Sequence, residues 1–179
     1  MNPNEVIAVN EKDEVLGFVE KMEAHRKGIL HRAISVLVFN EDNEWLLQQR
    51  AAHKYHSGLL WSNTACTHPM QDEHTIDAAK RRLQEEMGME SSLEKKFSFV
   101  YRAELDDDMV EHELDHVFFG VTNDHPEINK EEVASFRYVS TEDLQTEINM
   151  FPDQFTEWFK IIFDKFYEHI NISEDESNS

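Results

Sequence analysis

The residues best equipped for chemistry are Cys66, the only cysteine of the 179-residue chain, and a run that begins beside it. Cys66 lies in Trp61-Ser62-Asn63-Thr64-Ala65-Cys66-Thr67-His68-Pro69. From Thr67, five residues lead to Glu73 and seven more to Arg81-Arg82-Leu83-Gln84-Glu85-Glu86-Met87-Gly88-Met89. Carboxylates three or four residues apart on a helix project from one side, where oxygen ligands can hold a hard divalent cation. Ile76, Ala79, Leu83 and Met87 form the opposite, core-facing stripe, and Gly88 suits the left-handed residue that ends a helix. Arg82 and Glu86 stand one turn apart on the polar side, so a cation sits among the carboxylates. Such a site binds less metal charge and more phosphate. Singly, these side chains are those of any solvated helix; their ordered spacing is what argues for a site.

Other potential ligands fall into three clusters: His25 and His31, His68 two residues beyond the thiol, and Glu111-His112-Glu113. Strand alternation puts Glu111 and Glu113 on one face, where they repel unless a cation or a shared proton relieves them, and turns His112 to the other. Three imidazoles and two carboxylates suit a borderline ion such as Mn²⁺ or Zn²⁺ better than Mg²⁺ alone. Spacing alone does not bring the clusters together.

The elements that must hold these residues follow from pattern. Val6–Val9 and Val15–Val19 read as a hairpin about a polar turn, followed by a His-containing loop. Ala33–Phe39 reads as a central strand, with Trp45–Arg50 as its partner across a second turn. Residues 74–87 form the box helix. Phe97–Ala103 and Glu111–Val121 read as two strands around an acidic loop, with another near Phe136–Val139. Ser140 is a natural N-cap, and Phe155, Trp158, Phe159, Ile162 and Phe166 make the apolar stripe of a last helix.

The length suits one domain, expected over residues 1–172, with residues 173–179 an acidic, disordered tail. No apolar run has signal-peptide or membrane length, which predicts a soluble, cytoplasmic protein, and a monomer is expected. A single cysteine forms no internal disulfide and leaves its thiol free. With 17 basic residues against 37 acidic, net −20, neither nucleic acid nor an anionic membrane is expected as a partner. A phosphate substrate therefore needs a local basic pocket.

The run from Thr67 to Met89 resembles the Nudix box G-x5-E-x7-R-E-U-x-E-E-x-G-U, with Thr67 in place of its first glycine and Arg82 in place of the first glutamate of its R-E pair. From about Val6 to Phe163 the chain resembles one Nudix branch, the type I isopentenyl-diphosphate isomerases. The matching runs are Glu20–His25, Leu30–Ala33, Gln49–Lys54, Trp61–Pro69, Tyr101–Ala103 and Val110–Glu113. The resemblance implies an α+β Nudix fold, a mixed β-sheet between helices. It implies a metal site of His25, His31, His68, Glu111 and Glu113 for Mn²⁺ or Zn²⁺, and Glu86 holding Mg²⁺ against the diphosphate. Lys21, Arg50, Lys54 and Arg82 match the basic residues around that diphosphate. Cys66 and Glu113 match the catalytic pair on opposite faces of the alkene, with Tyr101 bonded to Glu113, Trp158 as the aromatic face for a carbocation and Trp61 as a second wall. The implied reaction moves the double bond of isopentenyl diphosphate to give dimethylallyl diphosphate, through a carbocation-like state and without flavin. The direction of proton transfer stays open. Thr67 departs from the glycine or serine of relatives, which puts its contact to the diphosphate in doubt. A diphosphate hydrolase is a weaker reading because Arg82 replaces a water-activating carboxylate, and a noncatalytic binder is weaker still because the matching polar positions are retained.

Overall fold

The computed structural model describes residues 1–166, so the expected tail and residues 167–172 lie outside the described residues. The strands are β1 (Glu5–Val9), β2 (Val15–Glu20), β3 (His31–Phe39), β4 (Trp45–Arg50), β5 (Trp61–Ser62), β6 (Ala65–Thr67), β7 (Glu94–Glu104), β8 (Val110–Val121) and β9 (Val133–Val139). Helices α1 (Lys21–Lys27), α2 (Thr75–Met87) and α3 (Thr141–Met150) precede α4, which occupies residues 157–166. Among the described residues, all nine strands belong to one mixed sheet.

β3 organises the sheet. It runs parallel to β8 from the pair His31 and Glu113 to the pair Phe39 and Val121. On its other side it meets β6 antiparallel, with Ser35 opposite Cys66. Because side chains alternate along a strand, His31, Ser35, Cys66, Glu111, Glu113 and Asp115 share one face. Farther along that face Leu37, Phe39, Trp45, Val117, Phe155, Trp158, Phe159, Ile162, Phe163 and Phe166 form one core with α4. The other face packs Ile34, Val36, Val38, Leu46 and Phe118 against Ala78, Ala79, Leu83 and Met87 of α2. Helices therefore cover both faces, as expected.

Two expectations need correction. The segment before β3 is not a loop: Lys21–Lys27 is helical, its first turn capped by the Glu20 carboxylate accepting from Glu23 N, and it ends at Gly28 with φ 65°. Seven residues are too few to display a helical period in the sequence. Trp45–Arg50 is also not the main partner of β3, since the two strands pair only at Phe39 and Trp45. β4 pairs instead with β9 from Trp45–Val139 to Arg50–Val133.

What parts β3 from β4 is the short β5–β6 segment. β5 pairs with β4, β6 pairs with β3, and Thr64 fills the gap between them. Its hydroxyl accepts from Val38 N at 2.8 Å and donates to Leu46 O at 2.7 Å. Asn63 Nδ2 donates to the carbonyls of Val36 and Ala65 at 3.2 and 2.9 Å. Side chains thus replace the missing ladder bonds, and they hold the start of β6, which carries Cys66. α2 ends as its sequence predicts, at Gly88 with φ 61°. A Cβ there would lie 2.5 Å from Glu127 O, so glycine is required twice over.

Candidate active site and metal centre

The three ligand clusters meet at one end of the β3–β8 pair. α1 brings His25, the first residue of β3 is His31, β6 leads into His68, and β8 supplies Glu111 and Glu113. His25 Nδ1 donates to Lys21 O at 2.6 Å, and His31 Nδ1 donates to Ile29 O at 2.8 Å. A carbonyl only accepts, so both rings are locked with Nε2 turned inward. His25 Nε2 lies 3.0 Å from Glu111 Oε1. His31 Nε2 lies 3.6 Å from the same oxygen and 3.3 Å from Glu113 Oε2, which also takes His68 Nε2 at 2.8 Å. Donor atoms of His25, His31, His68 and Glu111 all fall within 4.8 Å of one another.

Both His25 and His31 are fully buried, and Glu111 is 3 % exposed. His31 Nε2 has no hydrogen-bond partner despite its burial. Burial alone would lower the His31 pKa, but the Glu111 and Glu113 carboxylates push it up to about 10. The cluster is short of positive charge, and a divalent ion would supply it. Nitrogen and carboxylate donors with second-sphere carbonyls behind the rings fit a borderline divalent metal.

Cys66 and Glu113 flank β3 on opposite sides. The Asn63 amide faces the thiol, with Nδ2 3.2 Å and Oδ1 3.4 Å from Sγ. Burial, then the charges of Asp115 and Glu86, push Cys66 up to about 12. At neutral pH it is therefore a thiol. Burial and Glu111 act to raise the Glu113 pKa, yet the neighbouring His31 and His68 imidazoles keep it below the usual carboxylate value. Tyr101, paired across β7 and β8 with Glu113, donates its hydroxyl to Glu113 Oε1 from behind. One proton carrier and one carboxylate are thus held ready.

A cavity of about 390 Å³ opens over this pair, and its lining includes Cys66, His68, Glu111, Glu113 and Trp158 together with the cations Lys21, Arg50, Lys54, Arg81 and Arg82. Five cations line it in a chain of net charge −20. Burial, then the nearby charges of Lys54 and Arg82, lower the pKa of Lys21, the mark of a pocket built for an anion. Arg50 lies with its guanidinium 5.1 Å from the Trp158 ring, so a cation and an aromatic face meet in the lining.

Glu86 does not line the cavity. It accepts from Arg82 Nε at 2.8 Å and Gln48 Nε2 at 3.0 Å, and its Oε1 faces Cys66 N at 3.4 Å. Trp61 is also outside the cavity lining: it sits under the Arg137 guanidinium, 4.7 Å away, and packs on the α4 core. Thr67 lines the cavity beside Cys66.

Several residues escaped the sequence reading. Asp115, buried and accepting from Ser35 Oγ at 2.6 Å, continues the alternation of Glu111 and Glu113, and that period could have revealed it. Glu132 accepts from Arg82 Nη2 at 3.0 Å and also from Lys54, tying two cavity cations together. His56, whose Nε2 lies 3.3 Å from Glu111 Oε2, gave no signal, because only the fold of its loop brings it there.

The NUDIX domain model matches residues 29–159. Solved structures agree on the fold: a Deinococcus radiodurans protein is 18 % identical with a TM-score of 0.69, covering 82 % of this chain and 90 % of its own. The MutT protein of Methanosarcina mazei is 19 % identical with a TM-score of 0.64, covering 78 % of this chain and 94 % of its own. Sequence relatives are far closer. The isopentenyl-diphosphate Delta-isomerase of Pectobacterium atrosepticum is 53 % identical over 159 residues, 89 % of either chain. An isopentenyl-diphosphate Delta-isomerase of Aromatoleum aromaticum is 46 % identical over 162 residues, 90 % of this chain and 86 % of that one. The chain belongs to the Nudix superfamily and, within it, to the isopentenyl-diphosphate Delta-isomerase family.

Proposed function

We propose that the chain interconverts isopentenyl and dimethylallyl diphosphate by proton transfer between Cys66 and Glu113, in a metal-dependent site. The observation that carries the reading is the placing of a thiol and a carboxylate on opposite sides of β3, under a cavity that five cations also line. An unactivated alkene is a weak base, so its protonation needs a positioned acid, and loss of the allylic proton needs a positioned base. Adding one proton and removing another leaves the substrate's composition unchanged. Each turnover therefore ends with one proton moved from one member of the pair to the other.

Lys21, Arg50, Lys54 and Arg82 bind the diphosphate and orient the isoprenoid tail toward the pair. Trp158, buried at 5 % exposure, offers its π face to the cationic state and helps keep water from adding to it. Tyr101 orients the Glu113 carboxyl through its hydroxyl. His25, His31, His68, Glu111 and Glu113 would hold Mn²⁺ or Zn²⁺, and Glu86, which now lies behind Arg82 and outside the cavity lining, would bind Mg²⁺ carried by the diphosphate on release from that ion pair. When bound, the first ion supplies a fixed positive charge that holds the Glu113 carboxyl and offsets the crowding of buried carboxylates.

The test is product analysis with isopentenyl diphosphate. Wild type forms the acid-labile allylic diphosphate, and Cys66→Ala and Glu113→Gln each lower kcat by at least about 100-fold. Near-normal turnover in Cys66→Ala would remove the thiol from the mechanism. Release of inorganic phosphate or pyrophosphate in place of the allylic product would make the chain a hydrolase.

A further inference from the structure

Glu111 turns its two oxygens to different partners. Oε1 faces His25 and His31, as described above, whereas Oε2 faces His56 Nε2 at 3.3 Å. His56 is 6 % exposed, and its buried Nε2 has Glu111 Oε2 as its polar neighbour, close but off the line of a hydrogen bond, so the ring aims a polar atom at the metal cluster. Its other nitrogen lies 3.0 Å from Ser57 Oγ. The difference from His25 and His31 is chemical. Their Nδ1 atoms face carbonyls, which accept only, and this leaves Nε2 free to bind an ion. A serine hydroxyl can donate to Nδ1, which puts the His56 proton on Nε2, toward an oxygen that can only accept.

The backbone is shaped around this contact. Ser57 takes φ 55°, a left-handed conformation unfavourable for a side chain with a Cβ. Gly58 closes the turn, where a Cβ would lie 2.6 Å from Ala52 O. The turn is further tied to the cavity by Arg50 Nη2, which donates to His56 O at 3.2 Å, and the imidazole stands edge-on to Trp158 with ring centres 5.6 Å apart.

We infer that His56 is a positioning residue of the metal centre, a lock that holds Glu111 Oε2 so that Glu111 meets the ion through Oε1 alone. The inference rests on the metal site proposed above and adds a fourth imidazole to it that is not a ligand. Outer partners of this kind are worth about ten- to a hundred-fold in metal affinity.

The test compares Mn²⁺ and Zn²⁺ binding by full-length wild type, His56→Ala, His56→Gln and His53→Ala, with thermal unfolding of the metal-free and metal-loaded forms. His56→Ala is expected to raise the metal Kd about ten- to a hundred-fold and to shrink the metal-induced gain in Tm, without lowering the metal-free Tm. His56→Gln keeps an N–H donor and is expected to recover most of the affinity, while the exposed His53→Ala control binds as wild type. Wild-type affinity in His56→Ala would overturn the lock, as would a fall in metal-free Tm large enough to account for the loss. His56→Gln as weak as His56→Ala would overturn it too, in favour of direct ligation. If wild type itself binds neither ion, the metal site falls, and the lock falls with it; that failure shows in wild type and not in the variant comparison.

Discussion

Cys66 keeps its proton because burial and the neighbouring carboxylates make a thiolate costly there, raising its pKa from 9.0 to about 12. The unfolded chain releases that proton near 9.0, so the thiol's contribution to stability is complete below that pH and is lost as the pH rises toward 12. The Tm of wild type should therefore fall more steeply between about pH 9 and 11 than that of Cys66→Ala; parallel slopes would show that the thiol is not held this way. Tyr101 acts at one remove, behind Glu113 and outside the cavity lining. Tyr101→Phe should lower kcat by about 10- to 100-fold, the worth of a hydrogen bond to a charged group, with KM little changed. A large KM effect would place Tyr101 against the substrate. Most of these groups were legible as residues, since the thiol, the box and Glu111-His112-Glu113 have spacings of their own. His56 and Glu132 were not, because a solitary histidine and one acid in a run of acids acquire meaning only from what folds against them.

At the scale of elements, the position of Cys66 depends on Thr64, which stands where β3 and β4 part. Thr64→Val keeps the shape and removes both hydroxyl bonds, leaving Val38 N and Leu46 O without those partners. Urea unfolding should show a loss of about 1–3 kcal/mol, and turnover should fall with it as β6 shifts. Unchanged stability would mean that packing alone separates the strands. The sequence made α2 plain through its 3.6-residue period and terminal glycine, and it made the β7–β8 hairpin plain through its two apolar runs. It could not display the parting of β3 from β4. A polar turn between two apolar strands reads as a hairpin, and the wedge is a short segment whose bonds come from side chains. α1 was hidden for a related reason, being a single capped stretch too brief for periodicity.

Across the whole molecule, charge is reversed locally. The chain carries net charge −20, yet five of its cations line the cavity, close to the buried carboxylates of the histidine cluster. No helix among the described residues is long and apolar enough to cross a membrane. Because an ion bound to the folded chain alone stabilises it, chelator treatment should lower Tm and abolish turnover, and Mn²⁺ or Zn²⁺ should restore both. At about a hundred times Kd the restored stability is about 2.7 kcal/mol. A Tm indifferent to chelator and to both ions would leave the cluster as a buried hydrogen-bond network. The central claim, proton exchange at carbon in place of bond cleavage at phosphorus, is tested most directly by incubating isopentenyl diphosphate with the enzyme in D₂O and following it by NMR. Deuterium should enter the isoprenoid carbons as dimethylallyl diphosphate forms, with no phosphate released and with exchange lost in Cys66→Ala. Phosphate or pyrophosphate release without deuterium in the carbon skeleton would contradict it.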